Sequence, residues 1–395
     1  MKFLSRFLAL VLILPCTVAC NNTSETKAET ESDSISESES STESNTTADS
    51  EEETTVTDPY QKITYTMKEA VGLYKPLGRT AIYGSSLTCD YPASGAEFKV
   101  DCRGDVTINF TAKKDGQKLS VYIDGTFSRE IVLSKGVSTY TVAETLSEGE
   151  HTIRVVAQYA YTTNTLNKIV LNGQLLPAEE KDVYIEFIGA SSISGYGLSP
   201  TNENDATRSI SYTAIELLDV DYSLFGMGGM GIAYSATADH TVNNKYPYQS
   251  INRNKDEYAP TRTPDIIVFN LGQNDNYQWY TQAQNNINDE KFNYETFDAA
   301  VAEFIGTLDK LYGEKKIPLV FVSGIITQES RSVATKRLEE LINAVYVPAG
   351  YDILICPVTT DRSGYNSHST PAGAKKQGEE LADFIRKNFP RWFQQ

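Results

Sequence analysis

Strand–helix alternation in the second half of the chain constrains its fold more than any other feature. The best helical stretch covers 294–312, and two more run from about 329 to 346 and from about 371 to 388. Short apolar runs of strand length alternate with such stretches, at 183–188, 220–225, 265–271, 317–323 and 351–356. This order predicts a parallel sheet covered on both faces, with the reactive site at the carboxyl ends of its strands.

A different pattern precedes that region, from about residue 60 to 178. Short strands such as Phe98–Cys102 and Val106–Phe110 recur at intervals of roughly ten residues, and several alternate apolar and polar side chains. The dipeptides Asp124-Gly125, Lys135-Gly136 and Asn172-Gly173 are turn signals between them. The pattern predicts a β-sandwich, specifically a jelly roll, over 59–180, followed by an α/β domain over 181–395.

The N-terminus reads as an export signal. Two positive charges precede an apolar run from Phe7 to Leu14, and small residues lead to Cys20. The run is shorter than the roughly 20 residues that a membrane-spanning helix needs. Residues 1–20 resemble a bacterial lipoprotein signal whose Cys20 becomes the lipid anchor. Ordinary cleavage and secretion is the alternative.

Residues 21–58 are predicted to be a disordered acidic linker. They hold twelve acidic residues and one lysine among serines and threonines, so they cannot bury enough apolar surface to fold. This linker explains most of the chain's net charge of −17 and leaves −8 for residues 59–395. A mildly acidic body argues against a nucleic-acid partner, which requires a basic surface.

Four segments at the predicted strand ends carry residue types suited to acyl transfer. The first strand runs into Gly189-Ala190-Ser191, which predicts a serine hydroxyl at the N-terminus of a helix. Backbone N–H groups of Gly226–Gly231 follow the second strand, the Asn274 amide follows the third, and His368 precedes the last helix. A serine, a histidine and several hydrogen-bond donors are the parts of a serine hydrolase site.

These four segments, in this order, resemble the SGNH (GDSL-type) hydrolases. The resemblance implies that Ser191 is the nucleophile, that His368 is the base, and that Ser191, Gly229 and Asn274 supply the oxyanion hole. With a preceding β-sandwich, residues 60–395 are similar to carbohydrate esterase family 2, which joins a jelly roll to an SGNH domain with a flavodoxin-like sheet. The family removes acetyl groups from plant polysaccharides through an acyl-enzyme. The resemblance implies no metal and no cofactor.

The chain departs from the family pattern at several positions. Ala190 stands where Asp or Asn is usual, and Met230 replaces a basic residue. Asn366 and Ser367 stand where an Asp and a Trp often precede the histidine. We therefore expect a Ser–His dyad, with the imidazole oriented by the side chain of Asn366 or by a backbone carbonyl, and with Asp361 as the fallback third member.

Other residues have two readings each. Tyr277, Trp279 and Tyr280 directly follow the Asn274 segment, so their rings either stack on sugar at the rim of the site or pack against the body. Cys89 and Cys102 either form a disulfide or remain free thiols.

The two remaining histidines are predicted to have no catalytic role. His151 lies in a predicted strand of the sandwich, and His240 follows the glycine-rich segment. No histidine pair has metal-ligand spacing.

The expected partner is an acetylated polysaccharide or oligosaccharide, with the membrane contacted only through the lipid anchor and the protein a monomer. One alternative is a glycan-binding surface lipoprotein with a degenerate esterase domain. Another is an SGNH esterase acting on peptidoglycan O-acetyl groups or on lipid esters.

Overall fold

The computed structural model describes residues 58–159, 162–235, 239–250, 253–284, 293–328 and 332–393. The predicted signal, Cys20 and the linker up to residue 57 lie outside these residues. Within the described ranges, no helix combines the length and the apolar character that crossing a membrane requires.

Sixteen strands and seven α-helices are present in these ranges. The strands are β1 (Lys62–Thr66), β2 (Tyr74–Leu77), β3 (Ile82–Tyr83), β4 (Ser86–Thr88), β5 (Gly95–Ala112), β6 (Lys118–Ile123), β7 (Thr126–Val132), β8 (Gly136–Ala157), β9 (Thr165–Leu176), β10 (Tyr184–Gly189), β11 (Asp221–Gly226), β12 (Tyr248–Ser250), β13 (Arg253–Glu257), β14 (Ile266–Asn270), β15 (Leu319–Ser323) and β16 (Ile353–Pro357). The helices are α1 (Ile210–Leu218), α2 (Val242–Lys245), α3 (Gln273–Gln284), α4 (Tyr294–Tyr312), α5 (Val333–Leu341), α6 (Pro371–Asn388) and α7 (Pro390–Phe393). Short 3₁₀ turns cover Ala206–Arg208 and Tyr365–Ser367, and a π-helical turn, Ile342–Tyr346, follows α5.

The first nine strands form one antiparallel sheet in the order β3-β4-β9-β5-β8-β6-β7, with β1 on β9 and β2 on β5. Its strands are longer than the sequence predicts, because β5 joins Phe98–Cys102 to Val106–Phe110 through an irregular register. The turn predicted at Asn172-Gly173 is wrong, since both residues lie inside β9. A Cβ on Gly173 would lie 2.1 Å from the Asp101 carbonyl oxygen, so close approach of two strands requires the glycine.

Alternate side chains of the antiparallel sheet form its core. On β5 the larger buried side chains are Phe98, Val100, Cys102, Val106, Ile108 and Phe110. Cys89 and Cys102 are both free thiols in this core, so the suggested disulfide is absent. Burial raises the pKa of Cys89 to about 12 and that of Cys102 to about 11. Both thiols are therefore packing residues.

The parallel sheet confirms the predicted α/β region. Its order is β11-β10-β14-β15-β16, which is 2-1-3-4-5 in chain order. Every residue of β11 and β14 is buried, as expected for strands covered on both faces. The strand order reverses at β10, which lies between β11 and β14. In open α/β sheets, ligands bind beyond the carboxyl ends of the strands at such a reversal.

A buried ion pair joins the two sheets. Arg79, which follows β2, donates through Nη2 to Glu186 Oε1 on β10 at 3.2 Å, and both side chains are fully buried. The hydroxyls of Tyr246 and Tyr312 each donate to Glu186 Oε2 at 2.7 Å. The guanidinium lies 3.5 Å from the ring centroid of Tyr258. Because the carboxylate has several donors and the guanidinium has aromatic faces around it, the two charges are compensated inside the core.

Candidate active site

Ser191 lies in a turn directly after β10, an interior strand of the parallel sheet. The turn closes through bonds from Ser194 N to Ala190 O at 3.2 Å and from Tyr196 N to Ser191 O at 3.0 Å. A Cβ on Gly189 would lie 2.4 Å from Ile193 Cγ1, so only glycine allows this tight return of the chain. The predicted helix N-terminus at Ser191 is wrong, because the turn ends without becoming a helix.

The imidazole of His368 lies within hydrogen-bond distance of the Ser191 hydroxyl. Ser191 Oγ lies 2.7 Å from His368 Nε2, and His368 Nδ1 lies 3.1 Å from the backbone oxygen of Asn366. A carbonyl oxygen only accepts hydrogen bonds, so Nδ1 carries the proton of the neutral ring. Nε2 then presents a lone pair to the serine hydroxyl, which is the tautomer that a general base requires.

The turn before His368 explains how the carbonyl reaches the imidazole. Asn366 and Ser367 have φ values of 50° and 60°, in the left-handed region that few non-glycine residues adopt. Bonds from His368 N to Tyr365 O at 3.0 Å and from Gly364 N to His368 O at 2.9 Å hold this geometry. Backbone strain is thus located beside the imidazole, and this conformation brings the Asn366 carbonyl within reach of Nδ1.

The environment of His368 keeps its ring neutral. Burial lowers the pKa of His368 below its ordinary value, and the hydrogen bonds to the backbone of Asn366 and Tyr365 oppose that shift only in part. The ring of Tyr196 lies beside the imidazole, with centroids 4.7 Å apart. A neutral imidazole in contact with a serine hydroxyl is ready to accept a proton.

Asp361 is not the partner of the imidazole. Its Oδ1 accepts from the N–H and hydroxyl of Ser363, and its Oδ2 accepts from those of Thr370. These four bonds hold the pKa of Asp361 well below its usual range despite partial burial. The carboxylate instead fastens the loop between β16 and α6, at whose end Thr370 caps α6.

Among the described residues, no acceptor is found for the N–H groups of Ser191 and Gly229, which lie in the segments after the neighbouring strands β10 and β11. Gly229 lies in a turn closed by Met230 N donating to Met227 O at 3.2 Å, and its φ is 78°. Positive φ at the third position of such a turn favours glycine. Unpaired N–H groups of this kind can bind a developing oxyanion.

Asn274 lies in the first turn of α3 and contacts the glycine-rich turn. Its Nδ2 donates one amide hydrogen to Met230 O at 2.8 Å, and among the described residues no acceptor is found for the other hydrogen. Because β10 lies between β11 and β14, the segments that follow these three strands are neighbours. The sequence-predicted Ser191, Gly229 and Asn274 therefore lie on adjacent segments at one edge of the sheet.

Asp275 is a site residue to which the sequence analysis gave no role. Its carboxylate is fully buried and accepts from three successive backbone N–H groups, those of Ile232, Ala233 and Tyr234. Burial raises the pKa of Asp275 to about 6, although these bonds oppose the shift. Asp275 and Asn274 together fix the segment that carries Gly229. One signal for this role was present in the sequence. Asp275 directly follows the predicted site residue Asn274, and acidic residues are favoured in the first turn of a helix.

The aromatic residues after Asn274 lie on α3 and differ in exposure. Trp279 is half-buried and packs against the rings of Tyr234, Tyr294 and Phe297, with centroids between 5.3 and 6.1 Å away. Tyr277 is 60% exposed, and the side chain of Tyr280 lies outside the described residues. The structure therefore places Trp279 in the packing between α3 and α4.

The other two histidines have different surroundings. His151 Nδ1 lies 2.9 Å from Asp124 Oδ2 on the antiparallel sheet. His240 lies between β11 and α2, and burial lowers its pKa. Within the described ranges, no three His, Cys, Asp or Glu side chains form a group suited to a metal ion.

The fold is an antiparallel sheet followed by a parallel α/β sheet, and the candidate site pairs the hydroxyl of Ser191 with the imidazole of His368. Residues 77–178 match the family model described as Carbohydrate esterase 2 N-terminal. The resemblance to carbohydrate esterase family 2 is thereby confirmed. No curated protein sequence matches the chain.

Solved structures share this fold over most of the chain. An acetyl xylan esterase from the rumen bacterium Butyrivibrio proteoclasticus has a TM-score of 0.70 at 17% identity, over 85% of this chain and 100% of its own. A family two carbohydrate esterase from Cellvibrio japonicus has a TM-score of 0.71 at 19% identity, over 84% and 99%. One from Clostridium thermocellum, in complex with cellohexaose, has a TM-score of 0.67 at 17% identity, over 81% and 99%. At these identities the likeness concerns the fold.

Proposed function

We propose that this protein is a carbohydrate O-acetyl esterase of the acetylxylan type, acting through a Ser–His acyl-enzyme on plant cell-wall polysaccharide. The observation that carries the proposal is the 2.7 Å contact between Ser191 Oγ and His368 Nε2, in a ring whose other nitrogen faces a carbonyl. The likeness in fold to carbohydrate esterases supports the substrate class.

The reaction begins when Nε2 of His368 takes the hydroxyl proton of Ser191 as Oγ attacks the acetyl carbonyl carbon. The N–H groups of Ser191 and Gly229, with the free amide hydrogen of Asn274, bind the oxyanion. Loss of one such donor typically costs about 10²–10³ in kcat. His368 then returns the proton to the leaving sugar oxygen, and water repeats the sequence on the acetyl-serine.

The missing carboxylate motivates the rival reading, a glycan-binding protein with a degenerate site. The Asn366 carbonyl supplies an acceptor in its place, and the ring of Tyr196 lies within cation–π reach of the imidazolium that forms. Met230, the other departure, is fully buried and packs in the core. We therefore favour the enzyme.

Acetate release by the purified protein tests the proposal. The substrates are acetylated xylan, acetylated mannan, O-acetylated peptidoglycan and a long-chain lipid ester, each with and without Ser191→Ala. We expect release from a plant polysaccharide and none from the variant. Preference for peptidoglycan or for the lipid ester would replace the substrate, and glycan binding without any ester hydrolysis would establish the rival reading.

We further propose that the chain is exported and anchored at Cys20, with residues 21–58 as its tether, and that it is a monomer. Metabolic labelling with a tagged fatty acid tests the anchor, since Cys20→Ala should abolish incorporation. For the fold we propose a jelly-roll closure of the antiparallel sheet and a flavodoxin-like parallel sheet, which the order 2-1-3-4-5 supports.

A further inference from the structure

A cavity of about 350 Å³ lies between the antiparallel sheet and the segment 196–204, which follows Ser191 in the chain. Its lining comes from the turn Lys114–Lys118, from Gln158 and Tyr159 after β8, and from Tyr196, Glu203 and Asn204 on the catalytic side. A hydrogen bond holds the two sides of the cavity together, because Ala206 N donates to Gln158 O at 2.9 Å. The volume falls within the roughly 300–1,000 Å³ of small-molecule sites.

The position of the cavity relative to His368 indicates which part of a substrate it would meet. The ring of Tyr196 both lines the cavity and lies against the imidazole, with centroids 4.7 Å apart. In the proposed mechanism His368 delivers the proton to the leaving sugar oxygen. The sugar must therefore lie near the imidazole, and the ring of Tyr196 connects the imidazole to the cavity.

Gln158 presents a buried acceptor with no partner. It is 3% exposed, and its Nε2 donates to Ser120 Oγ at 2.9 Å and to Glu130 Oε2 at 2.8 Å. Because a carboxylate only accepts, Glu130 fixes which end of the amide is nitrogen. Oε1 then has no donor among the described residues. An unpaired buried acceptor is unfavourable, and a ligand hydroxyl would satisfy it.

The rest of the lining suits a neutral polyhydroxylated ligand. Tyr159 and Tyr196 offer flat rings, whose faces can pack on the apolar faces of a sugar. The charged groups are two cations, Lys114 and Lys118, and two anions, Asp115 and Glu203, so the lining has no net charge. Neither an anionic nor a cationic ligand is favoured, whereas hydroxyl groups find both donors and acceptors.

We propose that this cavity is a glycan subsite, which binds the sugar units that continue from the deacetylated residue and pairs a hydroxyl with Gln158 Oε1. The subsite rests on the proposed esterase function for its orientation. It would make the antiparallel region part of substrate recognition, since Gln158 and Tyr159 come from that region.

Binding measured without catalysis tests the subsite directly. In the full chain carrying Ser191→Ala, xylohexaose and cellohexaose are titrated by calorimetry, with and without Tyr159→Ala. We expect at least one of the two to bind and Tyr159→Ala to weaken that binding by about tenfold. Tyr65→Ala removes another half-buried tyrosine of the antiparallel sheet, outside the cavity, and should leave binding unchanged. Absence of binding to either probe, or equal loss in both variants, would overturn the subsite.

Turnover in the Ser191 enzyme gives a second readout. The ratio of kcat/KM for an acetylated xylo-oligosaccharide to that for an aryl acetate should fall about tenfold in Tyr159→Ala. Gln158→Met, which keeps the length of the side chain, should lower the same ratio. A fall that is equal on both substrates would contradict the subsite while leaving the esterase intact. If the unaltered protein hydrolyses no acetyl ester, the proposed function is wrong. The calorimetry then still tests the subsite independently.

Discussion

Two histidines in this molecule have a serine within hydrogen-bond reach, and they lie in opposite surroundings. His151, on the antiparallel sheet, has Asp124 Oδ2 at 2.9 Å from Nδ1 and Ser147 Oγ at 3.3 Å from Nε2. His368, beside the parallel sheet, has Ser191 Oγ at 2.7 Å and only a backbone carbonyl at Nδ1. By residue type the first cluster is the complete Ser–His–Asp set.

Protonation separates the two clusters. The hydrogen bond to Asp124 raises the pKa of His151, whereas burial lowers the pKa of His368. His151 Nε2 also lies 3.1 Å from the Ser147 carbonyl oxygen, to which it must donate. It therefore has no lone pair for the Ser147 hydroxyl. In the proposed mechanism, the difference in histidine protonation between the two clusters is the reason that Ser191, and not Ser147, is the nucleophile.

The largest expected effect separates the two serines. Ser191→Ala should lower kcat for an aryl acetate by roughly 10⁴-fold or more, because the nucleophile is lost. Ser147→Ala is the matched control and should keep kcat within twofold of the unaltered enzyme. Initial rates and thermal unfolding of both variants provide the check. A reversed pattern would move the active site to the antiparallel sheet.

Loss of a proposed oxyanion donor should give the next largest effect, since these donors belong to the segments after β10, β11 and β14 and not to the His151 cluster. Asn274→Ala should lower kcat by about 10²–10³ with little change in KM, because the lost bond strengthens in the transition state. Asn244→Ala, on the exposed surface of α2, serves as the control. A change confined to KM would show that Asn274 binds substrate and does not stabilise the oxyanion.

The pH dependence of kcat/KM should show a smaller effect with a defined sign. The base works as neutral imidazole, so activity falls as pH drops through the pKa of His368, which burial places below the ordinary value of about 6.5. Burial raises the pKa of Asp275 to about 6, so this carboxyl is a second group to which an acid limb could be assigned. The acid limb should therefore persist in Asp275→Asn, although kcat falls. Disappearance of the limb in that variant would assign it to Asp275.

The smallest effect concerns the stability of the antiparallel sheet. His151 has a higher pKa in the folded protein than in the unfolded chain, because protonated His151 is stabilised by Asp124. This stabilisation is complete below the unfolded pKa of about 6.5, and it is lost as the pH rises through the folded pKa. His151→Gln should therefore lower the free energy of unfolding by about 0.2–1 kcal/mol at pH 5.5 and by less at pH 8.5. Urea unfolding at both values measures this difference. A larger loss at pH 8.5 would contradict the assignment.

The sequence predicted the helices and parallel strands whose apolar residues follow a regular pattern. Helix α4 occupies Tyr294–Tyr312 and α6 occupies Pro371–Asn388, as their periodicity indicated, and the five parallel strands lie within two residues of their predicted bounds. The periodic apolar face of a helix and the continuous apolar run of a strand covered on both faces are both visible in the side chains alone, so bounds and type follow from them.

Other features depend on how distant segments meet. The Asn366 carbonyl reaches the imidazole through two left-handed residues, and no sequence period reports that conformation. The role of Asp275 requires three N–H groups from another loop, more than 40 positions away. Trp279 packs between two helices, a placement that its neighbours in sequence did not distinguish from a position at the rim.

Covalent labelling tests the central claim most directly, because a fluorophosphonate reacts only with an activated serine. After labelling of the full chain, peptide mapping by mass spectrometry should find the adduct on Ser191, and His368→Ala should abolish it. Ser147, which has the apparent triad, should remain unlabelled. An adduct on Ser147, or ester hydrolysis that continues at full rate while Ser191 stays unlabelled, would contradict a dyad of Ser191 and His368.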